Sequence, residues 1–553
     1  MKAVFFPHIL PRRCQFSDSV VLALLLMCAV IPSFAQQIKS IENSKHNLSA
    51  SGPGAIRASS EQEVCIFCHT PHNASPIQPA WNRNNPVSAY IVYSSQSMDA
   101  VAGQPTGSSK LCLSCHDGTI AVGSVLSRDQ EIMMSGGTHA LPAGKSNLGT
   151  DLSDDHPISF RYDSALAAKD VKLKDPGQLP QQVKLDKRGE MQCTSCHDAH
   201  DDANGAFLVM NNANSELCAS CHRIAETTIA SHANCNSCHV AHSSPSGPYL
   251  LTGNNLSDTC LKCHSGQPGL AQGTGVASDL NKLSRHDNPP PRGVLLGDAS
   301  TYVSCNDCHE PHTMRSQTAV APAISPKLGK VSGVNSAGVV VVAAQYQYEV
   351  CFKCHETASV NTRAISRQIV QTNPRLEFAP SAVSYHPVEA PGKNTNVPSL
   401  RPPLTTASII YCTDCHASDT SKAAGSSGAN GPHGSNSAPL LIARYEAADF
   451  TSESATAYAL CYTCHERSSI LSDESFPFHK KHVVDSRTPC SICHDGHGVS
   501  STQGSVLTNA HLINFDITAV TPLGGKLEYR SLGANHGSCT LTCHGQAHNN
   551  TPY

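Results

Sequence analysis

Apolar positions in this chain form one long run, covering residues 20–31, and otherwise only short stretches. Lys2, Arg12 and Arg13 precede the run, and Ser33-Phe34-Ala35 follow it. A charged stretch, an apolar stretch and then a small-residue site predict an export leader over residues 1–35, with the mature chain starting at Gln36. The run falls short of the roughly 20 residues that cross a bilayer as a helix, and no comparable run follows. The mature chain is therefore expected to be exported and to have no transmembrane segment. An uncleaved anchor stays open as an alternative. Cys28, after Leu25-Leu26-Met27, is a poor lipidation site because Met precedes it.

Beyond the leader, a β-branched run at residues 338–343 (GVVVVA) reads as a strand. With 37 Gly and 35 Pro, long regular elements are scarce, so the pattern predicts mostly irregular coil with short α-helices and few β-strands. Stretches 265–279, 289–297 and 418–437 are rich in Gly, Ser, Ala or Pro and read as linkers. The chain has a single tryptophan, Trp81, and a modest hydrophobic fraction, too little for a large side-chain core. Something else must fill the interior.

The cysteines say what. Cys14 and Cys28 lie in the leader, and the other 24 of the 26 form twelve pairs, each followed directly by His. Eleven pairs are C-x-x-C-H: Cys65 and Cys68 before His69, Cys112 and Cys115 before His116, Cys193 and Cys196 before His197, Cys218 and Cys221 before His222. Next come Cys235 and Cys238 before His239, Cys260 and Cys263 before His264, Cys305 and Cys308 before His309, and Cys351 and Cys354 before His355. Cys412 and Cys415 before His416, Cys461 and Cys464 before His465, and Cys490 and Cys493 before His494 complete the eleven. The twelfth, Cys539 and Cys543 before His544, carries one extra residue.

This spacing marks covalent attachment of haem c: two thioethers hold one porphyrin edge, and the next residue becomes the proximal iron ligand. Zinc knuckles would close four ligands without needing His after every pair, and disulfides leave the twelve histidines unexplained. About twelve covalently bound haems are thus expected, and they would form the core of the fold.

The second axial ligand separates a carrier from an enzyme. After the leader 29 histidines remain, 12 of them proximal, leaving 17 for at most 12 distal positions, whereas only six methionines remain. Bis-histidine iron follows, which has no open site and a low potential. Five motifs continue to a second histidine three residues on: His72, His200, His242, His312 and His497. Three residues span at most about 10 Å. That is too short to pass round a haem edge, so each of these histidines should ligate a neighbouring haem.

Motif starts from Cys193 to Cys260 are separated by 25, 17 and 25 residues, and CTSCHDAH…FLVM…LCASCH aligns with CNSCHVAH…YLLT…TCLKCH, an internal duplication. The expected organisation is a leader (1–35), a dihaem region (36–190), a duplicated tetrahaem module (191–266) and a hexahaem region (267–553).

With KHNLSASGPG around His46, VCIFCHTPHNASP from Val64, DDHPISF around His156, YEVCFKCH before His355 and CTLTCHGQAHN at the end, the chain resembles the doubled C-x-x-C-H multihaem cytochromes. The likeness is greatest to the large outer-surface cytochromes of dissimilatory metal-reducing bacteria. The resemblance implies electron export towards metal oxides or other extracellular acceptors, with other multihaem cytochromes or outer-membrane conduit proteins as partners and an address at the outer surface or in the periplasm. Family-like settings add His46, His156, His232, His286, His386, His433 and His482 as distal ligands. His139, His479, His511, His536 and His548 are held in reserve.

Removing the leader takes Lys plus Arg from 39 to 36 and Asp plus Glu from 43 to 42, a balance of −6. With propionates and iron counted, the holoprotein carries about −18 oxidised and about −30 reduced. This charge disfavours nucleic acid and suits positive mineral edges or basic patches on partner cytochromes. The competing reading is a multihaem nitrite or hydroxylamine reductase with one open haem. Against it, no motif replaces its proximal His by Lys, and histidines are in surplus.

Overall fold

Each C-x-x-C-H segment closes one helical turn. The amide of the histidine donates to the carbonyl of the first cysteine at 2.8 Å in His69 to Cys65, 2.9 Å in His197 to Cys193 and 2.8 Å in His239 to Cys235. The same bond measures 2.9 Å in His309 to Cys305, His416 to Cys412 and His494 to Cys490. It is the i to i−4 bond of an α-turn, which places both thiols on one side with the histidine just beyond.

In the computed structural model, residues 40–553 are described except 76, 77, 79, 224, 225, 268–274, 287–302, 357–364 and 534. The proposed leader, the start at Gln36 and the 289–297 linker lie outside the described residues.

Some motifs are isolated turns, as at Cys193–Cys196, Cys305–Cys308 and Cys490–Cys493. Others end longer helices: Gly107–His116, Leu256–His264 and Gln347–His355. Caps start them. The Asn255 side chain accepts from the Asp258 amide at 2.8 Å, and the Asp307 carboxylate accepts from the Ser304 amide at 2.7 Å. Many end at once, because His197, His222, His309 and His494 are already extended.

Strands are few and short, and the architecture is mostly irregular with short helices, as the composition predicted. The 338–343 run forms only a two-residue strand, Val340–Val341, paired antiparallel with Gly333–Val334. The exception is a C-terminal sheet. Its strands are β1 (Val520–Thr521), β2 (Glu528–Gly533), β3 (His536–Cys543) and β4 (Gln546–Pro552). Both β1 and β2 pair with one edge of β3, and β4 pairs with the other.

Apolar side chains gather into several small clusters. One joins Ile492, Ile513, Phe515, Val520, Tyr529 and Leu541 beneath the terminal sheet, and another joins Ile66, Phe67, Val122 and Met134.

Stretch 418–437 is not the loose linker its composition suggested. Ser418, Ser421 and Ser435 are fully buried. Lys282 reaches Asp279 at 2.7 Å and Asp419 at 2.6 Å, while Ser418 Oγ donates to Asp279 at 2.9 Å. Gly434–Ser435 pairs with Ser284–Arg285. Small residues here let backbones approach a buried polar knot.

Arg83 is a second polar anchor, fully buried. It donates to the carbonyls of Val122 (2.7 Å), Ala121 (2.8 Å) and Ser114 (3.0 Å), which ties the second motif helix to the chain before it. Arg83→Met strands the Val122 and Ser114 carbonyls, at about 1–3 kcal/mol for each group left unpaired, while Ala121 keeps the Ser124 amide at 3.1 Å. The expected result is a stability loss of about 3 kcal/mol, seen as faster hydrogen exchange across residues 109–122.

Candidate metal centres

The motif histidines meet other histidines two by two. Ring centroids are 6.1 Å apart in His46–His116, 6.0 Å in His69–His200, 6.3 Å in His156–His222, 6.1 Å in His197–His242 and 6.1 Å in His232–His264. They are 6.1 Å apart in His239–His312, 6.3 Å in His286–His355, 6.4 Å in His309–His433, 6.1 Å in His416–His497 and 6.5 Å in His479–His494. A metal–imidazole bond of about 2 Å on each side, plus about 1.1 Å from nitrogen to ring centre, predicts roughly 6.2 Å across one iron. The spacing therefore fits a metal between two axial rings.

The tautomer fits as well. In His116, His197, His239 and His494, Nδ1–H donates to the carbonyls of Ser146 (2.6 Å), Ala206 (2.9 Å), Tyr249 (2.7 Å) and His511 (2.8 Å). Opposing rings do the same: His46 to Ala199 (3.0 Å), His286 to Pro432 (2.9 Å) and His386 to Gly496 (2.6 Å). His242, His312 and His497 instead engage the carboxylates of Asp155 (3.0 Å), Glu310 (2.8 Å) and Glu377 (3.2 Å). Fixing the proton on Nδ1 leaves the Nε2 lone pair for a metal and orients the ring. Burial also pushes His156, His416, His433 and His494 down to about 4, so these imidazoles are neutral near pH 7.

Burial pushes Cys68, Cys196, Cys308 and Cys415 up to about 12, whereas hydrogen bonding from Cys112 holds Cys193 down at about 7. Among the described residues, no three or more His, Cys, Asp or Glu side chains converge on one point.

Electrostatic interactions between thiols, with side-chain hydrogen bonds at Cys112–Cys193, Cys218–Cys235, Cys260–Cys305, Cys351–Cys412 and Cys461–Cys490, link the motifs in sequence order. Cys68 interacts with Cys115, Cys112 with Cys193, Cys196 with Cys221, Cys218 with Cys235, and Cys238 with Cys263. Cys260 follows with Cys305, Cys308 with Cys351 and Cys354, Cys351 with Cys412, Cys415 with Cys464, and Cys461 with Cys490. Cys493 closes the series against Cys539 and Cys543. Second cysteines mostly interact with second and first with first, Cys308 and Cys493 interacting with both cysteines of the next motif, so successive motifs largely alternate in direction.

The second histidines obey a rule that sequence could not supply. His200, of the third motif, faces His69 of the first. His242 faces His197, His312 faces His239, and His497 faces His416, in each case two motifs upstream. His72 belongs to the first motif and makes no ring contact with another described histidine. His386 meets His465 electrostatically. His479, held in reserve, and not the nominated His482, faces His494. His482 instead faces His548, at 6.3 Å.

The twelfth motif departs from the rest. Cys539 and Cys543 lie on strand β3 and not on a helical turn. His544 sits in the β3–β4 turn, where its Nε2–H donates to Asp449 at 2.8 Å.

The doubled CXXCH motif family matches the chain at residues 187–227, 228–269 and 402–469. These motifs mark a multihaem c-type cytochrome. The first two matches divide the duplicated module, and the third carries the motifs at Cys412 and Cys461. No curated protein matches the chain. Among the described residues of this cytochrome, no helix is long and apolar enough to cross a membrane.

Proposed function

We propose that this cytochrome is an electron conduit, carrying about twelve haems in the order of their attachment motifs and delivering electrons to acceptors outside the cell such as metal oxides. The observation that carries the reading is the set of ten imidazole pairs 6.0–6.5 Å apart that include a motif histidine. Each such pair would hold one iron on both faces, which would leave no position for substrate and confine the site to one-electron chemistry. Bound haem supplies that one-electron couple. The chain's own residues do the rest: thioether cysteines anchor, paired histidines cap, and carbonyls and carboxylates hold the Nδ1 protons. The interactions between consecutive motifs would place neighbouring sites side by side for electrons to hop.

The reduced protein should be reoxidised rapidly by ferric chelates or iron oxide in stopped-flow mixing, and the oxidised protein should show only low-spin ferric signals in electron paramagnetic resonance. A high-spin fraction near one in twelve, with saturable turnover of nitrite or hydroxylamine, would place the chain among the reductases instead.

A further inference from the structure

Resting on the reading of this chain as a haem carrier, we propose that the iron at the C-terminal motif is ligated by His482 and His548, and that His544, the residue after its second cysteine, is a structural side chain and not an iron ligand.

Three observations carry this. First, His544 is committed elsewhere. His544 (φ 48°) and Gly545 (φ 74°) form a tight two-residue turn between β3 and β4, closed by the Cys543–Gln546 pair. From that turn His544 Nε2 meets both oxygens of Asp449, at 2.8 and 3.0 Å, and its ring stacks on Phe450 at 4.4 Å. In the other motif histidines whose ring bonds are described above, Nδ1 is the tied nitrogen and Nε2 is left over. In His544 the arrangement is reversed.

Second, His548 stands where a ligand is needed. It is directly opposite Leu541 in the ladder, and cross-strand partners share a face. Cys539 and Cys543 are two residues either side of Leu541 and therefore lie on that same face. Both pack on the Leu541 cluster, next to Cys493 of the preceding motif.

Third, His482 and His548 reproduce the other pairs. Their centroids are 6.3 Å apart, and His482 Nδ1–H donates to the Phe478 carbonyl at 2.7 Å, leaving its Nε2 unengaged as in the ring pairs above.

Methionine ligation raises a haem potential, which gives a readout independent of any activity. His548→Met and His482→Met, each made in the full-length holoprotein, should raise the potential of the same one-twelfth of the haem absorbance and give it the far-red band of methionine ligation. His548→Ala should turn that fraction high-spin, and added imidazole should return it to low spin. Mass spectrometry of the wild type should count twelve haems, one of them on the peptide with Cys539 and Cys543. Twelve haems with no spectral change in His548→Met would overturn the assignment and return the role to His544. Eleven haems in the wild type would overturn it too, because the terminal site would be empty, while the conduit reading would stand with eleven.

Discussion

Replacing His200 by Ala is expected to turn the haem attached at Cys65 and Cys68 high-spin, and to leave low-spin the haem attached at Cys193 and Cys196, although His200 follows that second motif by only three residues. His200 faces His69 at 6.0 Å, while His197 is already faced by His242 at 6.1 Å. The altered signal should amount to about one-twelfth of the total. Tryptic mapping of the haem that then binds cyanide would identify it. His242→Ala and His312→Ala extend the test, moving the change to the haems at Cys193 and Cys235. A change at the mutated motif's own haem would break the two-upstream rule read from the ring pairs.

What was legible in the sequence is the chemistry that lies in contiguous residues. A helical turn fixes two thiols and a histidine within five positions, so C-x-x-C-H announces its own local structure. Reach along the chain was legible too: three residues span too little to round a porphyrin, and the second histidines of four motifs face the rings of other motifs. Which other site depends on how motifs stack, and nothing local encodes it. His479 and His482 show the limit. Both stand a short distance before Cys490, yet His479 faces His494 while the His482 ring is held by the Phe478 carbonyl and turned towards β4. His548 was hidden for a related reason, because its place on the cysteine face comes from cross-strand register. Composition misled at residues 418–437, where serines that suggest a flexible linker are the small, hydrogen-bonding residues needed around the Asp279–Lys282–Asp419 knot.

The series of contacts makes the largest expected effect a loss of continuity. Each thiol interaction described above joins motifs that are consecutive in sequence, and none of them bypasses the seventh, whose Cys305 is hydrogen-bonded with Cys260 and whose Cys308 interacts electrostatically with Cys351 and Cys354. Cys305→Ala with Cys308→Ala removes one attachment site of twelve and should lower the Soret absorbance by about one-twelfth. Yet single-molecule conductance between anchors at the two ends should fall by orders of magnitude, because an electron at the sixth site must then cross the width of two haem contacts in one step. Dithionite should still reduce all remaining haems, since each segment stays open to solution on its own side, and this serves as the control for folding. The outcome separates two designs that share a haem count. In a wire, removing a middle site costs nearly all of the current and little of the capacity. In a cluster with parallel routes, current and capacity fall together by the same small fraction, and that result would rule out the serial arrangement. The thiol interactions favour the wire because every motif but the first and last is flanked by two neighbours, one before it and one after it in sequence.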